Sequence, residues 1–410
     1  MIAKREPMIA DPMIADRAER PATGTTGWNA ERRAWLRLGR SRGVGAILFC
    51  RLIERFGKAE AAVAALPGLK SKGDLAGVDL LAEAAAMAEI EAVERLGGDL
   101  LLSCDDAYPK ALRAIADPPP VLTLLGSAAL LALRPLAIVG ARNASGNGRF
   151  LARHLAREAS QRELVIISGL ARGIDTAAHE GGLEGPGSTI AVLGSGIDVA
   201  YPPENALLLQ RIAEAGLVLS ERTIGTPPLA RHFPSRNRII AGLASAVLVV
   251  EAAARSGSLM TARLAAAEGR EVMAVPGSPL DPRHAGTNQL LRDGAALVTS
   301  IDDVLEALPA WSPTPPAQPP PVKPALATVP SRTPSERNER AAPPPARPAP
   351  PAKPLLDQIA QLIGVEPMPV DEVIRQCHAK PAEVQQALLD LELDGRVRRH
   401  PGNRISRALA

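Results

Sequence analysis

The stretch Leu164-Val165-Ile166-Ile167-Ser168-Gly169-Leu170-Ala171-Arg172-Gly173-Ile174-Asp175 reads as a strand, a glycine turn and the opening of a helix. An unbroken apolar run is the mark of a strand covered on both faces, which means a parallel sheet. Gly169 and Gly173 permit a tight turn, and the first free N–H groups of the following helix attract anions.

The same pattern repeats on either side. Apolar runs at Leu136–Val139, Ile190–Leu193, Leu217–Leu219, Val247–Val250 and Val272–Val275 alternate with amphipathic helical stretches. The chain from 104 to 309 is therefore expected to form an α/β domain, an extended Rossmann-like, doubly wound parallel sheet. In such sheets ligands bind beyond the carboxyl ends of the strands, and there the sequence concentrates glycine, serine and arginine. Gly140 and Arg142 follow the first run, Ser168, Gly169 and Arg172 the second, and Gly194 and Gly196 the third. Arg231, Phe233, Arg236, Asn237 and Arg238 follow the fourth, and Ser256, Gly257 and Ser258 the fifth. Glycines allow close approach of backbone to ligand, and guanidinium groups match phosphate geometry. Convergence of these loops on one sheet edge points to a phosphate-bearing ligand.

Several classes fall away. A Walker A loop and a clean GxGxxG after the first strand are both missing, which disfavours P-loop hydrolysis and a dinucleotide cofactor. No HExxH or Cys/His cluster suggests a metal, and no nucleophile–base pair suggests catalysis, so no cofactor, metal or catalytic residue is expected. His179 reads as a satisfied structural histidine. Cys50, Cys104 and Cys377 lack metal or redox spacing and read as reduced, buried thiols. Charges punctuate the first twenty or so residues, and no run of about 18 apolar residues occurs, so neither a secretory signal nor a membrane span is expected.

Composition shifts mark the remaining segments. Residues 1–27 contain a tandem repeat, Pro7-Met8-Ile9-Ala10-Asp11 and Pro12-Met13-Ile14-Ala15-Asp16, and read as a disordered extension or a start site placed too early. Residues 28–103 read as a helical unit, with helices at Ala30–Leu38, Ala46–Phe56 and Leu80–Leu96. Its Gly43-Val44-Gly45 turn fits either a DNA-contacting helix-hairpin-helix (SAM/HhH-like) or a plain bundle turn. Residues 310–354 are a Pro-rich linker bearing Lys323, Arg332, Arg337, Arg340, Arg347 and Lys353 against Glu336 and Glu339, a surplus that exceeds the +3 of the whole chain. Residues 355–410 show three helical patterns, Leu355–Ile363, Val370–Cys377 and Pro381–Leu393. A stretch bearing Arg396, Arg398, Arg399, Arg404 and Arg407 follows, and together these describe a winged helix.

These motifs, taken in order, resemble the DNA-processing protein A (DprA/Smf) family. They are Val139-Gly140-Ala141-Arg142, Ser168–Asp175, Tyr201-Pro202, Phe233-Pro234-Ser235-Arg236-Asn237-Arg238, Ser256-Gly257-Ser258 and Pro276-Gly277, preceded by Tyr108-Pro109, Leu112, Pro120 and Gly126. The resemblance implies a cytoplasmic, homodimeric, non-enzymatic protein. It would bind single-stranded DNA without sequence preference, protect it and load RecA during natural transformation. It puts Arg142 at a DNA-contacting position and Phe233 where a base can stack, although Phe233 also fits a core anchor. Some relatives carry a lysine just before that aromatic, and here Arg231 is the nearest substitute. The alternative is a nucleoside-phosphate hydrolase of the Rossmann-like phosphoribohydrolase group. Its PGGxGTxxE glutamate has no counterpart in Ser256–Ala262, and Glu251 and Glu268 lie at other spacings.

Overall fold

The computed structural model describes residues 27–71, 75, 77–310, 353–363, 368–377, 381–400 and 404–408. The expected N-terminal extension and Pro-rich linker lie outside these residues, apart from their boundary positions.

Four helices come first among the described residues: α1 (Ala30–Arg40), α2 (Ala46–Phe56), α3 (Ala59–Ser71) and α4 (Glu83–Arg95). Leu38, Phe49, Leu52, Ala62 and Leu66 form their core, and the Trp35 and Phe49 rings meet edge to face at 5.0 Å. The turn between α1 and α2 passes through Gly43 at φ +84°, a conformation glycine adopts without strain. Helix α3 was not expected, because its alanine-rich stretch has weak periodicity and contains Pro67.

The central unit contains β1 (Asp99–Leu102), α5 (Lys110–Arg113), β2 (Val121–Gly126), β3 (Arg134–Val139), α6 (Gly146–Gln161), β4 (Leu164–Ser168), α7 (Ile174–Gly182) and β5 (Thr189–Leu193). It continues through α8 (Ala206–Ala215), β6 (Leu217–Ser220), α9 (His232–Leu243), β7 (Ala246–Val249), α10 (Ser258–Ala267), β8 (Glu271–Ala274), α11 (Ala285–Arg292), β9 (Ala296–Leu297) and α12 (Ile301–Ala307). All nine strands form one sheet in the order β1-β2-β6-β5-β4-β3-β7-β8-β9. From β6 to β9 the pairing is parallel, as expected, but β1 and β2 add an antiparallel edge. The sheet is therefore mixed rather than all-parallel.

The pleat explains the two covered faces. Along β3, Leu136 and Ile138 pack with α6, α7 and α12, whereas Ala137 and Val139 pack with α9 and α10. The chain winds outward from β3 through β4, β5 and β6, then returns to place β7 on the other side of β3. This reversal of strand order opens a crevice at the carboxyl ends of β3 and β7.

The C-terminal unit comprises α13 (Lys353–Leu362), β10 (Met368–Pro369), α14 (Val370–Cys377), α15 (Pro381–Leu393), β11 (Val397–His400) and β12 (Arg404–Arg407), with strand order β10-β12-β11. This is the winged helix that the sequence describes. Val384, Leu388 and Leu391 face its core, as their helical spacing requires. Of the cysteines, Cys377 is buried and Cys50 half-buried, but Cys104 is exposed, which corrects the reading of all three as buried. Among the described residues no helix is long and apolar enough to cross a membrane.

The winged helix has its own apolar cluster, so damage to it should stay local. Leu388→Ala is expected to destabilise that unit by about 2–5 kcal/mol. The unfolding transition of the nine-stranded sheet, followed separately in urea, should not move.

Candidate nucleic-acid interface

The crevice is an open cleft of about 720 Å³. Three loops build it. The first leaves β3 at Gly140, where a side chain would come within 2.6 Å of Ile174 Cγ1 and 3.0 Å of the Glu251 carbonyl, so only glycine fits. Arg142 follows, exposed at the cleft. The second is the opening of α9, which supplies Phe233, Pro234, Arg236 and Asn237. The third leaves β7 and supplies Arg255 and the Ser256-Gly257-Ser258 start of α10, where the N-cap position is Gly257 and the Ser258 N–H donates to Ser256 Oγ at 3.4 Å. The N–H groups of Ser256, Ser258, Leu259 and Met260 are bonded within the loop and first turn, and the partial positive charge of the helix start attracts anions.

Phe233 and Arg142 meet in this cleft, with the guanidinium carbon 5.3 Å from the ring centroid. A cation held over a ring combines phosphate attraction with a flat apolar surface. The opposite demands of anchor and exposed ring are both met, because Phe233 is half-buried beside Gly194, where an added Cβ would sit 3.4 Å from the ring.

Below the cleft lies a buried polar floor. Arg236 Nη1 donates to the carbonyls of Gly169 and Val192, each at 2.5 Å. Burial pulls its guanidinium down to about 10, against the opposing charge of Asp175. Burial also pushes the Asp175 carboxyl up, although it accepts the Gly169 and Ala171 N–H groups. Beneath them, His179 Nε2 accepts the N–H of Leu170, and Nδ1 meets the Thr189 hydroxyl at 2.7 Å. Leu170 sits at φ +57°, an unfavourable conformation for leucine that this hydrogen bond holds in place. His179 is thus structural, as expected. A second buried acid, Glu251, accepts both the N–H and the hydroxyl of Ser145, which fixes the loop carrying Arg142 at the start of α6.

The sequence-predicted residues divide accordingly. Gly140, Arg142, Phe233, Arg236, Asn237, Ser256, Gly257 and Ser258 line the cleft. Arg172 and Arg231 are exposed outside it. Ser168, Gly169, Gly194 and Gly196 are buried and outside the lining of the cleft. Ser168 Oγ donates to the Ile138 carbonyl, Gly169 leaves room for the Arg236 guanidinium, and Gly196 N–H donates to Thr226. Arg238 is a correction of a different kind. It lies two residues beyond Arg236 and so faces the far side of α9, where it pairs with Asp117 at 3.0 Å and with Glu221. Sequence reasoning missed Arg255, although its position directly before Ser256-Gly257-Ser258 was a usable signal. It also missed Tyr201 as a cleft neighbour, 5.4 Å from Phe233.

Fold and site together define a Rossmann-like α/β protein with an arginine-bearing cleft at the switch point of its sheet. The chain belongs to the DNA processing protein A (DprA/Smf) family: the family model for DNA recombination-mediator protein A matches residues 99–309. Models for the DprA-like N-terminal HHH domain and the DprA winged helix match residues 29–92 and 343–403. DNA processing protein DprA of Streptococcus pneumoniae is 49% identical over 201 residues, covering 49% of this chain and 71% of that protein. Protein Smf of Synechocystis is 33% identical over 398 residues, covering 92% of this chain and 99% of that protein. The X-ray structure of the S. pneumoniae protein superposes with a TM-score of 0.60 at 37% identity, covering 68% of this chain and 98% of that one.

The floor gives a pH signature. Burial lowers the His179 imidazole from 6.5 to about 3. Between those values the unfolded chain holds a proton there and the folded chain does not. The stability this group contributes is therefore complete above pH 6.5 and is lost as pH falls, at about 1.4 kcal/mol per pH unit. Urea denaturation at a series of pH values should show this slope in the difference between the parent protein and His179→Gln, where the opposing contribution of the raised Asp175 carboxyl cancels.

Proposed function

We propose that the cleft binds single-stranded DNA without sequence preference. The carrying observation is the Arg142–Phe233 pair, 5.3 Å from guanidinium carbon to ring centroid, at the mouth of a glycine-lined cleft. The arginine suits a phosphate and the ring suits a base, and a ring can stack only on a base that is not already enclosed in a duplex. Arg142, Arg236 and Arg255 outnumber the single acid of the lining, Asp175. On this reading Gly140 and Gly257 let the backbone come close to the phosphates, the start of α10 adds its partial positive charge, and Asn237 supplies a neutral polar contact.

The role that follows is that of a binder rather than an enzyme. Asp175 and Glu251 are buried and already hold backbone N–H groups, which leaves neither free to act on a glycosidic bond. Membership of a family named for recombination mediators supports a protein that protects incoming single strands and loads RecA in the cytoplasm during natural transformation, working as a homodimer.

The winged helix takes an auxiliary part. Its third helix, α15, is acidic, with Glu383, Asp390 and Glu392, and Arg399 of the wing is already paired with Glu392 at 3.4 Å. An acidic helix repels phosphates. Duplex DNA or a protein is the better partner for the wing.

Anisotropy titrations with labelled single- and double-stranded DNA of equal length test the reading directly. Preference for the single strand is expected, and equal or stronger duplex binding would overturn it. Arg142→Ala should weaken single-strand binding by about 1–3 kcal/mol and reduce the slope of log affinity against log salt by about 0.7. Truncation after Pro309 should leave most single-strand affinity and RecA loading in place.

A further inference from the structure

The chain is poor in aromatic residues, with only two tyrosines, four phenylalanines and three tryptophans. One tyrosine, Tyr108, is buried and donates its hydroxyl to the Pro119 carbonyl at 2.9 Å. The other, Tyr201, is 40% exposed, an unusual setting for a large ring. It is not isolated: its centroid lies 5.4 Å from that of Phe233, with the ring planes inclined at 44°.

Its loop is firmly held. Ser195 Oγ donates to the Val199 carbonyl at 2.8 Å, Asp198 accepts the Gly225 N–H at 2.8 Å, and Asn205 Nδ2 donates to the Leu170 carbonyl at 2.9 Å. A ring presented on a fixed loop loses little freedom when it captures a flat ligand. Arg172, on the loop after the neighbouring strand β4, has a side chain 64% exposed and only loosely paired, 3.7 Å from Glu204, which follows Tyr201 by three residues in the chain. An exposed aromatic face and an exposed guanidinium thus lie on the loops after two neighbouring strands, β5 and β4, outside the cleft lining.

Sheet order sets the direction. The loops bearing Tyr201, Arg172, Arg142 and Arg255 follow β5, β4, β3 and β7, which are consecutive neighbours. Three strand spacings span about 14 Å. We propose that Tyr201 and Arg172 form a second nucleotide step, in which a base stacks on Tyr201 and the adjoining phosphate meets Arg172. A single strand then runs across the sheet edge from the β7 loop to the β5 loop. This step rests on the single-strand reading of the cleft.

The test uses the full-length protein and a labelled oligothymidylate. Tyr201→Leu should weaken binding about tenfold, the scale of one lost stacking contact. It should leave the salt slope unchanged, because no charge is removed. Tyr201→Phe should bind like the parent protein. Arg172→Gln should weaken binding and also lower the salt slope by about 0.7. Independently of any variant, photocrosslinking with 5-iodouracil in the oligonucleotide should label the peptide containing Tyr201. A folded Tyr201→Leu protein that binds as tightly as the parent, or crosslinks that reach Phe233 and never Tyr201, would overturn the second step alone. Failure of the parent protein to bind single strands at all would overturn the cleft reading and this step with it.

Discussion

A permanent positive charge lies in the floor of this protein. Arg236 has left water and is held by two carbonyls, of Gly169 after β4 and Val192 in β5, with Asp175 as the nearby counter-charge. A buried charge is tolerated only where its hydrogen bonds are made, and removing such a partner leaves the others stranded. The consequences spread outward. Arg236 locks the first turns of α9 onto the sheet, and that fixes Phe233 three residues earlier. Gly169 is forced, because any side chain there would collide with the guanidinium. The turn after β4 then places Leu170 at a positive φ, which His179 and Asp175 stabilise through their hydrogen bonds to the backbone. The exposed face of the cleft is thus built on a rigid polar base, which is the arrangement that preorganised recognition requires.

Much of the fold was legible because buried parallel strands have no polar face to disguise them. All six expected runs fall on strands, from Leu136–Val139 to Val272–Val275, with ends shifted by no more than two residues. Strands β1 and β9 escaped because they are short, at four and two residues, and β2, six residues long, escaped because it lies outside the regular helix–strand alternation. The winged helix was legible from Val384, Leu388 and Leu391, whose spacing alone assigns them to a core.

The candidate site was legible as a set of loops but not as a surface. Glycine and serine after each strand identify the sheet edge, yet they do not separate a glycine that admits a ligand from one that admits a neighbouring side chain. Gly140 belongs to the cleft, whereas Gly169 and Gly194 serve Arg236 and Phe233. Likewise Arg236 and Arg238 look equivalent in sequence. Their separation by two positions on a helix sends one to the cleft floor and the other to Asp117 and Glu221. Tyr201 is distant from Phe233 in sequence, so only the folded chain brings the two rings together.

On the proposed function, one strand of DNA occupies the cleft between the β3 and β7 loops. A crystal structure of the protein with a bound oligothymidylate tests it most directly. Phosphates are expected at Arg142 and the start of α10, with a base against Phe233. Oligonucleotide density on the wing or the Gly43-Val44-Gly45 turn, with the cleft empty, would contradict it.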